Sequence, residues 1–195
     1  DSFDDTVEKV RYLVKDAIKR QLVSDVSIGT FLSGGLDSSI ISSVVNETFR
    51  REGKTLHTFS VDYEDNDKFF RTSRFQPNAD AEYIRLMADY LDSKHHRLVI
   101  GTDNLTDALF SAVDARDLPG MADVDSSMLL LCKSIREQVT VALSGECADE
   151  IFGGYPWYRN KEIRDTDGFP WAQSTEYRFS FLEDEFASMI NPDDF

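Results

Sequence analysis

Positive charge is scarce in this sequence. Only 21 Lys and Arg stand against 36 Asp and Glu in 195 residues, a formal net charge of −15. Such a surface repels a phosphate backbone, which argues against bulk binding to DNA or tRNA and leaves room only for a local basic patch. Long apolar runs are missing too. None approaches the ~18–20 residues a membrane-spanning helix needs, and no hydrophobic leader opens the chain. Cysteine is limited to Cys132 and Cys147, too few for a disulfide framework, so a reducing, cytoplasmic setting is expected. Internal repeats and low-complexity tracts are absent. What is present is ordinary for a globular chain: 41% apolar and 29% charged residues, enough for one domain, or one and a fraction, with a sizeable core.

Periodicity predicts alternating strands and helices. Val7, Val10, Leu13, Val14, Ala17, Ile18 and Leu22 mark an opening helix, with Asp4 and Asp5 at its positive end. Ile28–Leu32 reads as a buried strand breaking into Ser33-Gly34-Gly35, and Ser38–Arg50 as the helix that follows. Thr55–Tyr63, His96–Ile100 and Val139–Leu143 read as further strands. Ala79–Leu91, Leu105–Val113 and Met128–Ile135 read as helices, with Cys132 on an apolar core face. The polar stretch 64–80 reads as a long loop, expected to be mobile and to close over a ligand at the second strand's carboxyl end. This order predicts an α/β domain with a mostly parallel sheet flanked by helices. Both ends read as interior to a longer polypeptide. The expected division is a domain over 1–160, with 161–195 as an incomplete remainder of it.

Chemistry concentrates in two turns. In Ser33-Gly34-Gly35-Leu36-Asp37-Ser38-Ser39 a strand becomes a helix through glycines, which brings unpaired backbone N–H groups close to an anion. No Gly-Lys-Ser/Thr follows, so it is not a Walker loop, and it is not G-x-G-x-x-G. Without a lysine, phosphate charge falls to amides, hydroxyls and a metal, and Asp37 is placed to hold Mg²⁺. The plainer alternative is a turn in which Asp37 or Ser38 caps the helix.

The string resembles the S-G-G-x-D-S pyrophosphate loop of the ATP pyrophosphatase superfamily. Leu143-Ser144-Gly145-Glu146-Cys147-Ala148-Asp149-Glu150-Ile151-Phe152-Gly153-Gly154-Tyr155 resembles the S-G-E-G-x-D-E-x-F-G-G-Y block of glutamine-hydrolysing asparagine synthetases. Gln21–Val26, Thr58–Val61 and His95-His96 are similar to that family as well, over roughly residues 5–160. The resemblance implies an adenine nucleotide alpha hydrolase-like fold and a bound ATP. Leu32, Ser33, Gly34, Gly35, Asp37, Ser38, Ser39, Val61, Ser144 and Gly145 would border the nucleotide, and Asp37 and Asp149 would hold Mg²⁺. It further implies adenylation of an aspartate carboxylate, then attack by ammonia drawn from glutamine, with Glu146 positioning or deprotonating the nitrogen nucleophile. The plain reading of Glu146 is a helix-start carboxylate.

Departures from the family pattern are specific. Cys147 replaces the usual Gly, here read as a tolerated small-residue swap, and Ser27 stands where Pro is common. The glutaminase domain and a downstream lysine are expected outside this sequence, and the isolated segment is expected to make little asparagine. A different acid acceptor, as in a β-lactam-forming relative, and a non-catalytic nucleotide-binding module are the alternatives. No nucleic acid or membrane partner is expected, and a homo-oligomer is compatible with the sequence. His57, His95 and His96 lack the spacing of a zinc cluster and read as packing or surface residues. Tyr155, Trp157 and Tyr158 read as packing.

Overall fold

The computed structural model describes residues 2–72, 79–168 and 179–190. Packing divides the chain into two units, Asp1–Glu146 and Cys147–Phe195. The first runs α1 (Phe3–Arg20), β1 (Ile28–Phe31), α2 (Leu36–Arg51), β2 (His57–Tyr63), α3 (Asn66–Phe69), α4 (Ala81–Leu91), β3 (Lys94–Ile100), α5 (Thr102–Arg116), α6 (Ala122–Arg136) and β4 (Val141–Leu143). The strands form one parallel sheet in the order β3-β2-β1-β4, the α/β arrangement expected. The chain lays β2 and β3 on one side of β1 and returns to lay β4 on the other. Strand addition therefore reverses between β1 and β4, where open parallel sheets bind ligands.

Period-two alternation sorts the two faces of the sheet. Phe59 of β2 is fully buried with Leu131 and Ile135 of α6 and with Val139, and Val61 packs on this cluster. The neighbours Thr58 and Ser60 turn to the opposite face, where β2 meets α4. Ile18 of α1, Val44 and Val45 of α2 and Leu56 form a second cluster, and Leu32, Ile84 and Ala88 a third. Thr30 of β1 and Ser42 of α2 are fully buried, and their hydroxyls satisfy one another at 2.8 Å. Leaving either unpaired would cost about 1–3 kcal/mol. Gly29 admits nothing larger: a Cβ there would lie 2.7 Å from the Phe59 ring and 2.8 Å from the His57 carbonyl oxygen.

Several boundaries differ from expectation. β1 ends at Phe31, one residue before Leu32, while β3 begins at Lys94 and so contains both His95 and His96. β4 begins at Val141, because the Thr140 and Val141 amides both donate to the Ser27 carbonyl at 3.1 Å. α5 starts at Thr102 behind Gly101, whose amide donates to Asn104 Oδ1 at 3.3 Å, and the Glu64 carboxylate lies against Gly101, 2.7 Å from where a Cβ would stand. α6 starts at Ala122 behind Met121, which offers no side-chain cap. Cys132 is exposed, not core, because Leu131 and Ile135 take the inward face and Cys132 lies about 100° round the helix from Leu131.

The 64–80 stretch is not all loop. Asp65, Asn66 and the residues after them close a turn of α3, and the Asn66 side-chain Nδ2 donates to Asp62 Oδ1 at 2.9 Å. Residues 73–78 lie outside the described ones, and with them part of the expected covering loop.

The second unit contains short helices: α7 (Ala148–Phe152), α8 (Pro156–Arg159), α9 (Lys161–Arg164) and α10 (Asp184–Met189). Tyr155 stacks on Trp157 at 4.3 Å between ring centroids and on Tyr158 at 6.2 Å. Asn160 caps α9, its Oδ1 accepting from the Glu162 amide at 3.0 Å.

Candidate functional site

The first turn leaves the sheet at Leu32, which is fully buried and donates its amide to the Phe59 carbonyl at 2.7 Å. Gly34 has φ +80, a left-handed conformation that glycine adopts without a side-chain clash. Gly35 is the N-cap residue of α2 and makes no side-chain cap bond. Neither Asp37 nor Ser38 is the cap; both lie inside the helix. The first N–H groups of a helix have no partner within it, and glycine brings no side chain to meet them, so this end of the 16-residue α2 suits an anion.

The serines stitch the turn to itself. Ser38 Oγ accepts from the Ser33 amide at 3.2 Å, shares a hydrogen bond with Ser33 Oγ at 3.0 Å and lies 3.2 Å from the Gly35 carbonyl. Ser39 Oγ donates to that same carbonyl at 2.7 Å. Ser38 is buried and Ser39 half-buried. Their hydroxyls fix the loop's shape, and the backbone is what the loop presents.

The second turn leaves β4 at Leu143 and comes to the first. A Cβ on Gly145 would stand 3.0 Å from Asp37 Cβ and 3.2 Å from the Ser38 amide nitrogen. Two stretches more than a hundred residues apart are thus in van der Waals contact at the start of α2. Ser144 Oγ accepts from the Glu146 amide at 3.2 Å, which bends the chain there. Glu146 is exposed, and no hydrogen bond or ion pair among the described residues engages its carboxylate. The N-cap residue of α7 is Cys147, and Glu146 precedes it.

Val61 is half-buried on β2, which outruns β1: their pairing ends at Phe31–Phe59, while β2 continues to Tyr63. The Phe59 carbonyl points toward β1, so by alternation the Val61 peptide groups face the same way beyond that strand's end. Of the predicted residues, Asp149 alone lies in the second unit. There its carboxylate lies against the backbone of Gly154, whose amide donates to the Asp149 carbonyl at 3.0 Å. Cys147 has φ +70, so the position where the family pattern carries Gly is a left-handed one. That accounts for the glycine and marks the cysteine as strained.

A magnesium ion fits the donor set. Among the described residues, no group of three His, Cys, Asp or Glu side chains forms a protein-made cage. Mg²⁺ is instead commonly held by one or two carboxylates together with substrate phosphates, and the half-buried Asp37 stands in the first turn of α2.

A separate cavity of about 480 Å³ opens between α4 and the β2–β3 flank, lined by Ser60, Asp62, Ile84, Arg85, His95 and Arg97 among others. It includes no residue of the two turns. His95 spans its floor, with Nδ1 2.9 Å from Thr58 Oγ1 and Nε2 3.1 Å from Ser60 Oγ. Burial, then repulsion from the neighbouring His96 and Arg97, lowers its pKa from the ordinary histidine value. His57 and His96 bond to each other at 3.1 Å, and burial first, then Lys94 or the partner ring, lowers both. Burial pushes the Asp62 carboxyl up, but its bonds to Arg97, the Tyr63 amide and Asn66 outweigh that and hold it below the usual range.

Residues 9–191 match the family model described as asparagine synthase. The chain is 54% identical over 192 residues to the glutamine-hydrolyzing asparagine synthetase 3 of Bacillus subtilis, covering 98% of this chain and 31% of that protein. It is 35% identical to asparagine synthetase 1 of the same organism, over 80% of this chain and 22% of that one. A maize asparagine synthetase is 32% identical over 76% of this chain and 25% of its own length. The chain thus spans about a third or less of the relatives it matches.

Proposed function

Because the chain belongs to the asparagine synthase family, we propose that it binds ATP at the two turns and serves ATP-dependent formation of asparagine from aspartate. The observation that carries this reading is the contact of Gly145 with Asp37 and Ser38. It brings the anion-binding end of α2 beside the exposed Glu146.

In this reading Ser33–Ser39 receives the pyrophosphate, while Leu32, Val61, Ser144 and Gly145 border the adenosine. Asp37 would hold Mg²⁺, with Asp149 the second carboxylate that the family pattern implies, and the ion would supply neutralisation of charge on the departing phosphates. The aspartate side-chain carboxylate attacks the α-phosphate, forming an O–P bond as the bond to pyrophosphate breaks. Ammonia then attacks the acyl carbon of β-aspartyl-AMP and AMP leaves. Glu146 orients the ammonia or accepts a proton from it as the C–N bond forms. Glutamine hydrolysis elsewhere in the complete enzyme supplies the ammonia. Free Cys132 and Cys147 suit a cytoplasmic setting.

The test is pyrophosphate release by the full-length protein with ATP, ammonia and each of a panel of amino acids and carboxylic acids. Release that depends on aspartate and yields asparagine is the expected result. Release with another acid alone would replace the acceptor, and no release with any acid would leave only a nucleotide-binding module.

A further inference from the structure

The first turn is gripped from one side by a helix to which neither motif belongs. A Cβ added to Gly34 would lie 3.0 Å from the Asp80 carbonyl oxygen, 3.0 Å from Tyr83 Cβ and 3.1 Å from the Ile84 amide nitrogen. Two of these three atoms are backbone, so the wall cannot yield by rotating a side chain. It is also stiff, since the Ile84 amide donates to the Asp80 carbonyl at 2.9 Å, closing the first turn of α4. By contrast, a Cβ on Gly35 would meet only Ser33 Oγ, at 3.4 Å. At Gly34 the close packing comes from α4.

Packing beneath the turn repeats the pattern. Ile84 is 9% exposed and clusters with Leu32 and Ala88, with Met87 packed on them. Leu32 is the residue from which the turn springs, pinned to β2 through its amide bond to Phe59. Ile84 therefore touches the turn twice: by its side chain under Leu32 and by its backbone against Gly34.

We infer that Ile84 is a positioning residue for the nucleotide's phosphates. It makes no contact with them, and it sets the height at which Ser33–Ser38 offers its amides. Truncating it opens space beneath Leu32, into which the turn can settle, and the amides then miss the phosphate oxygens. The inference rests on the ATP reading of the two turns.

The experiment compares wild type, Ile84→Ala, Ile84→Val and Ile18→Ala in the full-length protein. Ile18 is equally buried, at 9%, but belongs to the α1–α2 cluster. Binding of MgATP is measured by calorimetry, KM for ATP against kcat by pyrophosphate release, and stability by thermal unfolding. Ile84→Ala is expected to weaken MgATP binding about tenfold, with KM rising more than kcat falls. Ile84→Val, which folds even where the alanine variant does not, is expected to weaken binding about twofold. Ile18→Ala should lower the melting temperature comparably and leave ATP affinity unchanged. Wild-type affinity in both Ile84 variants, or an equal loss in Ile18→Ala, would overturn the inference while leaving the nucleotide reading intact. Failure of wild type to bind MgATP would overturn both.

Discussion

The turn after β1 and the turn after β4 read alike as strings, each a strand end followed by Ser-Gly, and they are built in opposite ways. The first is closed by its own serines, springs from a fully buried Leu32 and uses glycine for its left-handed residue, Gly34 at φ +80. The second has an exposed Ser144 and an exposed Glu146, and the left-handed residue that follows is Cys147 at φ +70. The 16-residue α2 follows the first turn and the five-residue α7 the second. On the proposed function the difference separates two tasks. A loop proposed to offer amides to phosphate must hold several groups in register, and here the serine hydroxyls and the α4 wall behind Gly34 hold them. A residue that meets a small nucleophile needs an unencumbered carboxylate, and Glu146 keeps one.

Glu146→Gln tests that separation most severely. Amide formation is expected to fall by about 10²–10⁴, the range for a removed acid–base group, while MgATP affinity stays within about twofold. A parallel loss of ATP affinity would show that the second turn also shapes the nucleotide pocket, and the contrast would fail. Gly34→Ala attacks the other side. A Cβ at φ +80 costs roughly 1–2 kcal/mol, and its collision with the α4 backbone roughly 1–3 kcal/mol more. Urea denaturation should show that destabilisation, and calorimetry should show ATP binding lost; an unaltered affinity would mean that the loop has slack after all. Cys147→Gly gives the smallest effect. Relieving the left-handed cysteine outweighs the extra chain entropy of glycine, and the variant is expected to gain about 1 kcal/mol in urea denaturation with MgATP affinity unchanged. A loss of stability there would mean that the Cys147 side chain makes up for its backbone.

These two turns also mark where local reading stops. Short apolar runs, the Ser-Gly turns that end two of them, and alternation at Leu56, Phe59 and Val61 located the four strands, because a parallel sheet covered on both faces asks for short, largely apolar strands. Helix starts were harder to read, since α5 and α6 begin behind Gly101 and Met121, neither of which brings a capping side chain. Cys132 was misplaced because an apolar run does not say which of its residues face inward; the sheet chose Leu131 and Ile135. Ile84 was legible as a helix-face residue of 79–91, but nothing local tied it to Gly34.

By itself the sequence determined the elements and the residue types at each turn: glycines where a backbone must come close, hydroxyls where a loop must bond to itself, carboxylates near a phosphate. Tertiary structure alone decided which turns meet. Gly145 reaches Asp37 only because β4 pairs with β1 on the side away from β2, and Gly34 is held only because α4 crosses back over β2. Strand order follows from burying both faces of the whole sheet at once, a balance that no single stretch of sequence contains.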